Sequence, residues 1–210
     1  MADWSNIANF ATAGGTLVLA VATFSAVRSS NRSAKIAEEG LLANIRPLLV
    51  PSLNGDRAHK VLWNDFHLAT LDGGRAVVQH ENDVLYIAMG LRNVGNGIAL
   101  LHGWRVYETR VHSDVPFASA DRFRQLTLDL YISSGDVGYF EGAIRDNDDP
   151  VLDGLLATIA GREPFTVDLL YGDQQGRQRT ISRFSILPGD DDGWYLRALQ
   201  HRNVDGPDPR

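Results

Sequence analysis

No cysteine occurs in the 210 residues, so neither a disulfide framework nor a cysteine-bearing zinc set is open to this chain. The histidines, His59, His67, His80, His102, His112 and His201, are scattered, and no two stand at the i, i+4 spacing of a helical metal pair. No serine sits in a Gly-x-Ser-x-Gly turn, which removes the nucleophile elbow of a hydrolase. Basic charge is also short. The net charge is −6, and the body beyond the basic segment that follows residue 27 is more acidic still, which repels nucleic-acid phosphates. These absences nominate no catalytic, cofactor-binding or metal residue. The chain reads as non-enzymatic, without a cofactor and without a nucleic-acid partner, and no internal repeat is present.

The longest absence is of charge itself. From Ile7 to Val27 no side chain is charged, and Arg28, Arg32 and Lys35 follow directly. A helix of this length covers about 31 Å, the thickness of a bilayer's hydrocarbon core. The stretch therefore reads as a transmembrane anchor over 1–27. A buried helix of a soluble domain and a leader cleaved after Ala20-Val21-Ala22 are the alternatives, although no Lys or Arg precedes the run as a leader requires. With the positive flank retained inside, the N-terminus lies outside the cell inner (plasma) membrane and the C-terminal body in the cytoplasm. Asn9, Thr12, Thr16, Thr23, Gly14 and Gly15 make the span a modest one that a partner helix would support.

At 100° per residue, the bulky Ile7, Phe10, Leu17, Val21 and Phe24 share one face of that helix, and small residues share the other. Ala8, Ala11, Thr12, Gly15 and Ala22 are the candidate helix-association residues, for self-pairing or for a partner membrane helix. A helical pattern continues as a juxtamembrane stalk over 28–45. Pro47 excludes the residue before it from the helical region, so the helix should stop near Asn44.

Beyond Pro47 the apolar period changes from near 3.6 to 2, which predicts a mainly β domain over 46–202. Leu85, Ile87, Met89 and Leu91 form one alternating run, and Leu126, Leu128, Leu130 and Ile132 a second. A third is Ile98, Leu100, Trp104 and Val106, with His102 in phase on its core face. Phe165, Val167, Leu169 and Tyr171 make a fourth, which turns at Gly172 to Gly176 and returns through Phe184 and Ile186. With weaker candidates at 48–50 and 76–79, the count reaches about seven or eight strands, the pattern of two packed antiparallel sheets. One short helix is inserted, capped by Asp149, with Pro150 in its first position and Gly161 at its end. Residues 203–210 read as a disordered tail.

Three motifs occur between these elements: Arg46-Pro47 after the stalk, Asn93-Val94-Gly95-Asn96-Gly97-Ile98-Ala99 between strands, and Tyr171-Gly172-Asp173 leading to Gly176-Arg177. On these residues the chain resembles uncharacterised bacterial single-pass membrane proteins whose soluble part is similar to the immunoglobulin-like β-sandwich of bacterial cell-adhesion-related domains. It departs from that group in having Gly97-Ile98-Ala99 for Gly-Pro-Ala and Ser134-Gly135-Asp136 for Pro-Gly-Glu. The resemblance implies a fold and no activity. Read physically, the motifs are turns, with Gly95 and Gly97 expected at positive φ and Asn93 or Asn96 bonding nearby backbone.

The expected function is a membrane-tethered cytoplasmic protein-interaction or scaffold module. Its protein partner is not specified by the sequence, and Trp63 and Trp194 are its candidate exposed contacts. The alternative is an exported or outward-facing sandwich that binds a small ligand or carbohydrate. His80, Glu81 and Asp83 read as a charged turn, and the acidic clusters at 146–149 and 190–192 as solvated turns.

Overall fold

The computed structural model describes residues 4–112, 114–206 and 208, with side chains from Thr12 onward. Two units result, residues 1–44 and 45–210.

The first unit is helix α1, Trp4–Asn44, one uninterrupted rod that ends where Pro47 requires. Thr16 Oγ1 donates to the Thr12 carbonyl at 2.9 Å and Thr23 Oγ1 to the Leu19 carbonyl at 2.8 Å, so these hydroxyls are satisfied within the helix. Among the described residues, no helix is long and apolar enough to cross a membrane. The anchor expected over 1–27 is thus not supported by the described residues. The side chains of Ile7, Ala8, Phe10 and Ala11, in the first half of the uncharged run, lie outside the described residues.

The second unit is mainly antiparallel β and sandwich-like. Its strands are β1 (Leu49–Pro51), β2 (His59–Leu62), β3 (Leu68–Leu71), β4 (Arg75–Glu81), β5 (Val84–Asn93) and β6 (Ala99–Tyr107). They continue with β7 (Arg124–Gln125), β8 (Tyr131–Ile132), β9 (Val137–Ile144), β10 (Phe165–Gly172), β11 (Arg179–Pro188) and β12 (Trp194–Asn203). One large sheet runs β1-β5-β4-β12-β11-β10-β6-β7, with β9 also on β5 and β8 also on β6. It folds over at the two-residue pairing of β12 with β4, Trp194↔Ala76 and Tyr195↔Arg75. Leu85, Ile87, Met89 and Leu91 of β5 thereby share one core with Phe165, Val167, Leu169 and Tyr171 of β10 and Phe184 and Ile186 of β11. Helix α2, Leu152–Ala160, adds Leu152 and Leu155 to the same core.

The residues that should have faced water on β5 are buried as well. Tyr86 and Ala88 pack with Val61, Trp63, Ala69 and Leu71, because the β2–β3 hairpin lies over that outer face. On the opposite outer face, Phe117, Ala118 and Ala120 cover Leu170 and Ile181 of β10 and β11.

Several expectations need correction. The run from Leu126 to Ile132 is not one strand: only β7 and β8 pair with β6, and Leu128 is exposed. His102 is exposed and not in the core. The register between β6 and β10 slips after Leu101, so Leu101 and Trp104 are both buried and the residue between the two phases turns out. Asp149 stands before α2 rather than capping it. Its Oδ1 accepts the Val151 N–H at 3.1 Å, and the helix starts at Leu152. Gly161 ends that helix with φ −73, and Arg162 takes the left-handed conformation instead. The chain stays tied down past Asn203: Asn203 pairs with Thr180, and Asp205 with Arg179 at 2.6 Å.

The turn motifs converge. Asn93 is fully buried. Its Nδ2 donates to the Gly97 carbonyl at 2.6 Å and the Ile132 carbonyl at 3.0 Å, and its Oδ1 accepts the N–H groups of Leu48 and Gly95. Ser134 Oγ donates to the Gly95 carbonyl at 2.7 Å. Neither Gly95 nor Gly97 has positive φ. Glycine is required there for close approach, since a Cβ at either position would overlap the backbone of residues 45–48. Asp173 serves the other motif, accepting the N–H groups of Gln175 and Arg177 and fixing the β10–β11 turn.

Candidate functional site

The five residues Trp63–His67 that join β2 to β3 carry the features of the body that packing alone leaves unexplained. The turn closes when Phe66 donates to the Trp63 carbonyl and Trp63 donates to the His67 carbonyl, at 2.9 and 3.0 Å. Its last turn residue must adopt positive φ, a place where glycine is at ease. Phe66 occupies it, with φ 65 and 85% of its surface exposed. A bulky residue held there stores about 1–3 kcal/mol of strain. Leu62 and Leu68, directly paired across the hairpin, are exposed beside it, which makes a small apolar tip.

Beneath the tip the turn is rooted in a polar and aromatic cluster. Asp65 Oδ2 accepts the Tyr86 hydroxyl at 2.8 Å and the Arg145 Nη2 and Nε at 3.0 and 3.1 Å. Desolvation pushes the Asp65 carboxyl up, yet the hydrogen bonds from Tyr86 and Arg145 outweigh it and hold it below its ordinary value. Burial raises the Tyr86 phenol, helped by the same carboxylate. His67 stacks on Tyr86 with centroids 3.9 Å apart, meets Gln79 at 2.9 Å and lies 3.6 Å from Glu81. Trp63 crosses Tyr86 edge-on at 5.2 Å and donates Nε1 to the Gly142 carbonyl at 3.1 Å.

Glu141 of β9 is the discordant member. It is 5% exposed, its Oε2 has no hydrogen-bond partner, and desolvation pushes its pKa up to about 6, with Arg145 pulling it down and Asp65 pushing it up. The cavity it lines with Trp63, Trp104, Gln125, Thr127 and Arg145 is about 30 Å³, room for a water-sized group. This acid can hold or release a proton near neutral pH, but the cavity is too small to hold a substrate beside it.

Of the two tryptophans nominated from sequence, Trp63 belongs to this turn and Trp194 lies apart from it. Trp63 and Trp194 are 3% and 6% exposed, so neither is a surface contact: Trp63 is roofed by its own hairpin, and Trp194 packs on Phe165 at 5.7 Å. Glu81 reaches the cluster through His67, whereas Asn82 and Asp83, both at positive φ, form the tight β4–β5 turn. Thr12, Gly15 and Ala22 are exposed along α1, and the side chains of Ala8 and Ala11 lie outside the described residues. Among the described residues no three of His, Asp or Glu stand together to hold a metal. Asp191 of the acidic run pairs with Arg75 at 2.6 Å, which lowers its pKa to about 2. Compared with protein-family models, with curated proteins and with solved structures, the chain matches none.

Proposed function

We propose that this chain is a protein-interaction module without catalytic activity, held at a membrane by the first half of α1, that offers the Trp63–His67 turn to a protein partner. Phe66 carries the reading: a large apolar side chain kept in solvent, at a backbone conformation that disfavours it, has no value to the fold itself. We read the body as an immunoglobulin-like scaffold of the bacterial cell-adhesion-related kind. Two packed sheet halves with loops carried at their margins support this reading.

The tether in this proposal is the uncharged run Ile7–Val27. Leu17, Val18, Leu19, Val21, Phe24 and Val27 are exposed large apolar side chains on a stretch without charge, a surface at home in lipid or in a protein core. Arg28, Arg32 and Lys35 then mark the cytoplasmic side of the inner membrane, with the N-terminus outside and the body inside. Pairing through Ala8, Ala11, Thr12, Gly15 and Ala22 would supply the contact that so modest a span needs. A Cβ at Gly15 would meet nothing within 4 Å.

Carbonate extraction of membranes from cells expressing the full chain, followed by chemical crosslinking, tests both halves. The chain is expected in the membrane pellet, with a crosslinked species that is lost in Phe66→Ser. Recovery in the soluble fraction without detergent would overturn the tether, and an unchanged crosslinked species in Phe66→Ser would overturn the contact.

A further inference from the structure

The outer face opposite the hairpin carries a groove that shares no residue with it. Phe117, Ala118 and Ala120 of the covering segment form one wall, Ile181 of β11 the floor, and Arg202 and Val204 the other wall, around a space of about 400 Å³. That is the size of an ordinary small-molecule site.

Both walls are pinned, so the space belongs to the fold. Arg183 donates to the Val115 carbonyl at 2.8 Å and lies 4.3 Å from the Phe117 ring, and the N–H of the buried Phe123 donates to the Ala120 carbonyl at 3.3 Å. On the other side the Val204 N–H donates to the Arg179 carbonyl at 2.9 Å, which carries the β11–β12 pairing one residue past Asn203. Alanine at 118 and 120 leaves open the volume that longer side chains would fill.

Strand register brings charge and apolar surface together. Arg202 is paired with Ile181, so the two side chains leave the sheet on the same face, and Val204, two residues on, joins them. Arg179 and Arg183 flank Ile181 on that face, and each is neutralised, by Asp205 at 2.6 Å and by Asp168 at 2.8 Å. Arg202 is not. Among the described residues it has no ion-pair partner, and it is the one charged residue that lines the groove. A single guanidinium beside apolar walls matches a single planar anion on a hydrocarbon chain. Its fork takes both carboxylate oxygens, whereas a dianion such as phosphate would keep half its charge unbalanced and has nothing to offer the walls.

We infer that this groove binds a carboxylate bearing a short alkyl chain, with Arg202 holding the head and Phe117, Ala118, Ile181 and Val204 covering the tail. The test is equilibrium dialysis of labelled hexanoate against the full chain in lipid nanodiscs, with empty nanodiscs as the blank and with acetate, hexanamide and inorganic phosphate as competitors. Hexanoate is expected to bind saturably at one site per chain. Acetate, which lacks the tail, and hexanamide, which lacks the charge, should each displace it about tenfold less well or worse, and phosphate less well still. Arg202→Gln, at an exposed position, should weaken hexanoate about tenfold and abolish its advantage over hexanamide. Ala118→Leu should fill the groove and abolish binding with Arg202 still in place. No saturable binding of hexanoate, displacement by hexanamide or phosphate as effective as by hexanoate itself, or hexanoate affinity unchanged in Arg202→Gln would each overturn the inference.

Discussion

The body buries a carboxylate under each of its two outer faces, and the two faces treat it in opposite ways. Under the 115–123 segment, Asp168 is fully buried and fully satisfied. Arg183 Nε and Nη2 donate to its two oxygens at 2.8 and 2.9 Å, and the Tyr107 hydroxyl donates at 3.0 Å. Arg183 in turn donates to the Val115 carbonyl at 2.8 Å and lies 4.3 Å from the Phe117 ring, so the pair also fastens the covering segment. Under the β2–β3 hairpin, Glu141 is buried with Oε2 unpartnered, below a turn that keeps Phe66 strained and exposed. A closed network of this kind serves architecture. Tension left unresolved at one place, with an apolar residue aimed at solvent above it, is the reason the proposed contact is put on that face.

The largest effect should come from breaking the satisfied side. Asp168→Ala strands Arg183 in the interior, and denaturant unfolding should show a loss of about 3–5 kcal/mol, with Asp168→Ala/Arg183→Met recovering part of it. A loss below about 1 kcal/mol would mean that the pair does not hold that face.

The unsatisfied side should respond with the reverse sign. The folded pKa of Glu141, about 6, lies above its ordinary 4.5, so the folded state binds the proton more tightly than the unfolded one. Its contribution is most favourable below about pH 4.5 and is lost as pH rises through about 6, a change of about 2 kcal/mol. Glu141→Gln should therefore be more stable than the wild type by about 1–2 kcal/mol at pH 7.5, with the gap closing below pH 4.5. A gap that is constant across this range would remove Glu141 from the argument.

A smaller expected stability effect is the most specific. Phe66→Gly relieves the left-handed backbone and should raise stability by up to about 1 kcal/mol while abolishing partner contact. Gly161→Ala is the matched control outside the hairpin. Its backbone is ordinary right-handed, so thermal unfolding should show at most a few tenths of a kcal/mol.

Much of this architecture can be read from residues alone. The alternation in β5, the β10–β11 hairpin and the stop of α1 before Pro47 follow from periodicity and turn chemistry acting over short distances. Even the Asp168–Arg183 pair was within reach, because the turn at Gly172 to Gly176 sets a register that places the two residues opposite each other. What escaped depends on contacts remote in sequence. The slip at Leu101 inverts the facing of His102, and alternation contains no sign of a bulge. The β2–β3 hairpin is too short to announce itself, yet it decides that Trp63 is covered and Phe66 is not. The strain at Phe66 had a trace in the sequence, a five-residue link between two short apolar runs with no glycine to take positive φ.

The central claim is that the hairpin tip is a contact surface and the exposed apolar side chains elsewhere on the body are not. A photoreactive residue placed at Phe66, and in a separate chain at the exposed Tyr131, tests it directly in cells expressing the full chain. The account predicts a discrete adduct from position 66 that disappears when Leu62→Ser and Leu68→Ser are added, and none from position 131. Adducts of equal yield from both positions, or none from position 66, would contradict it.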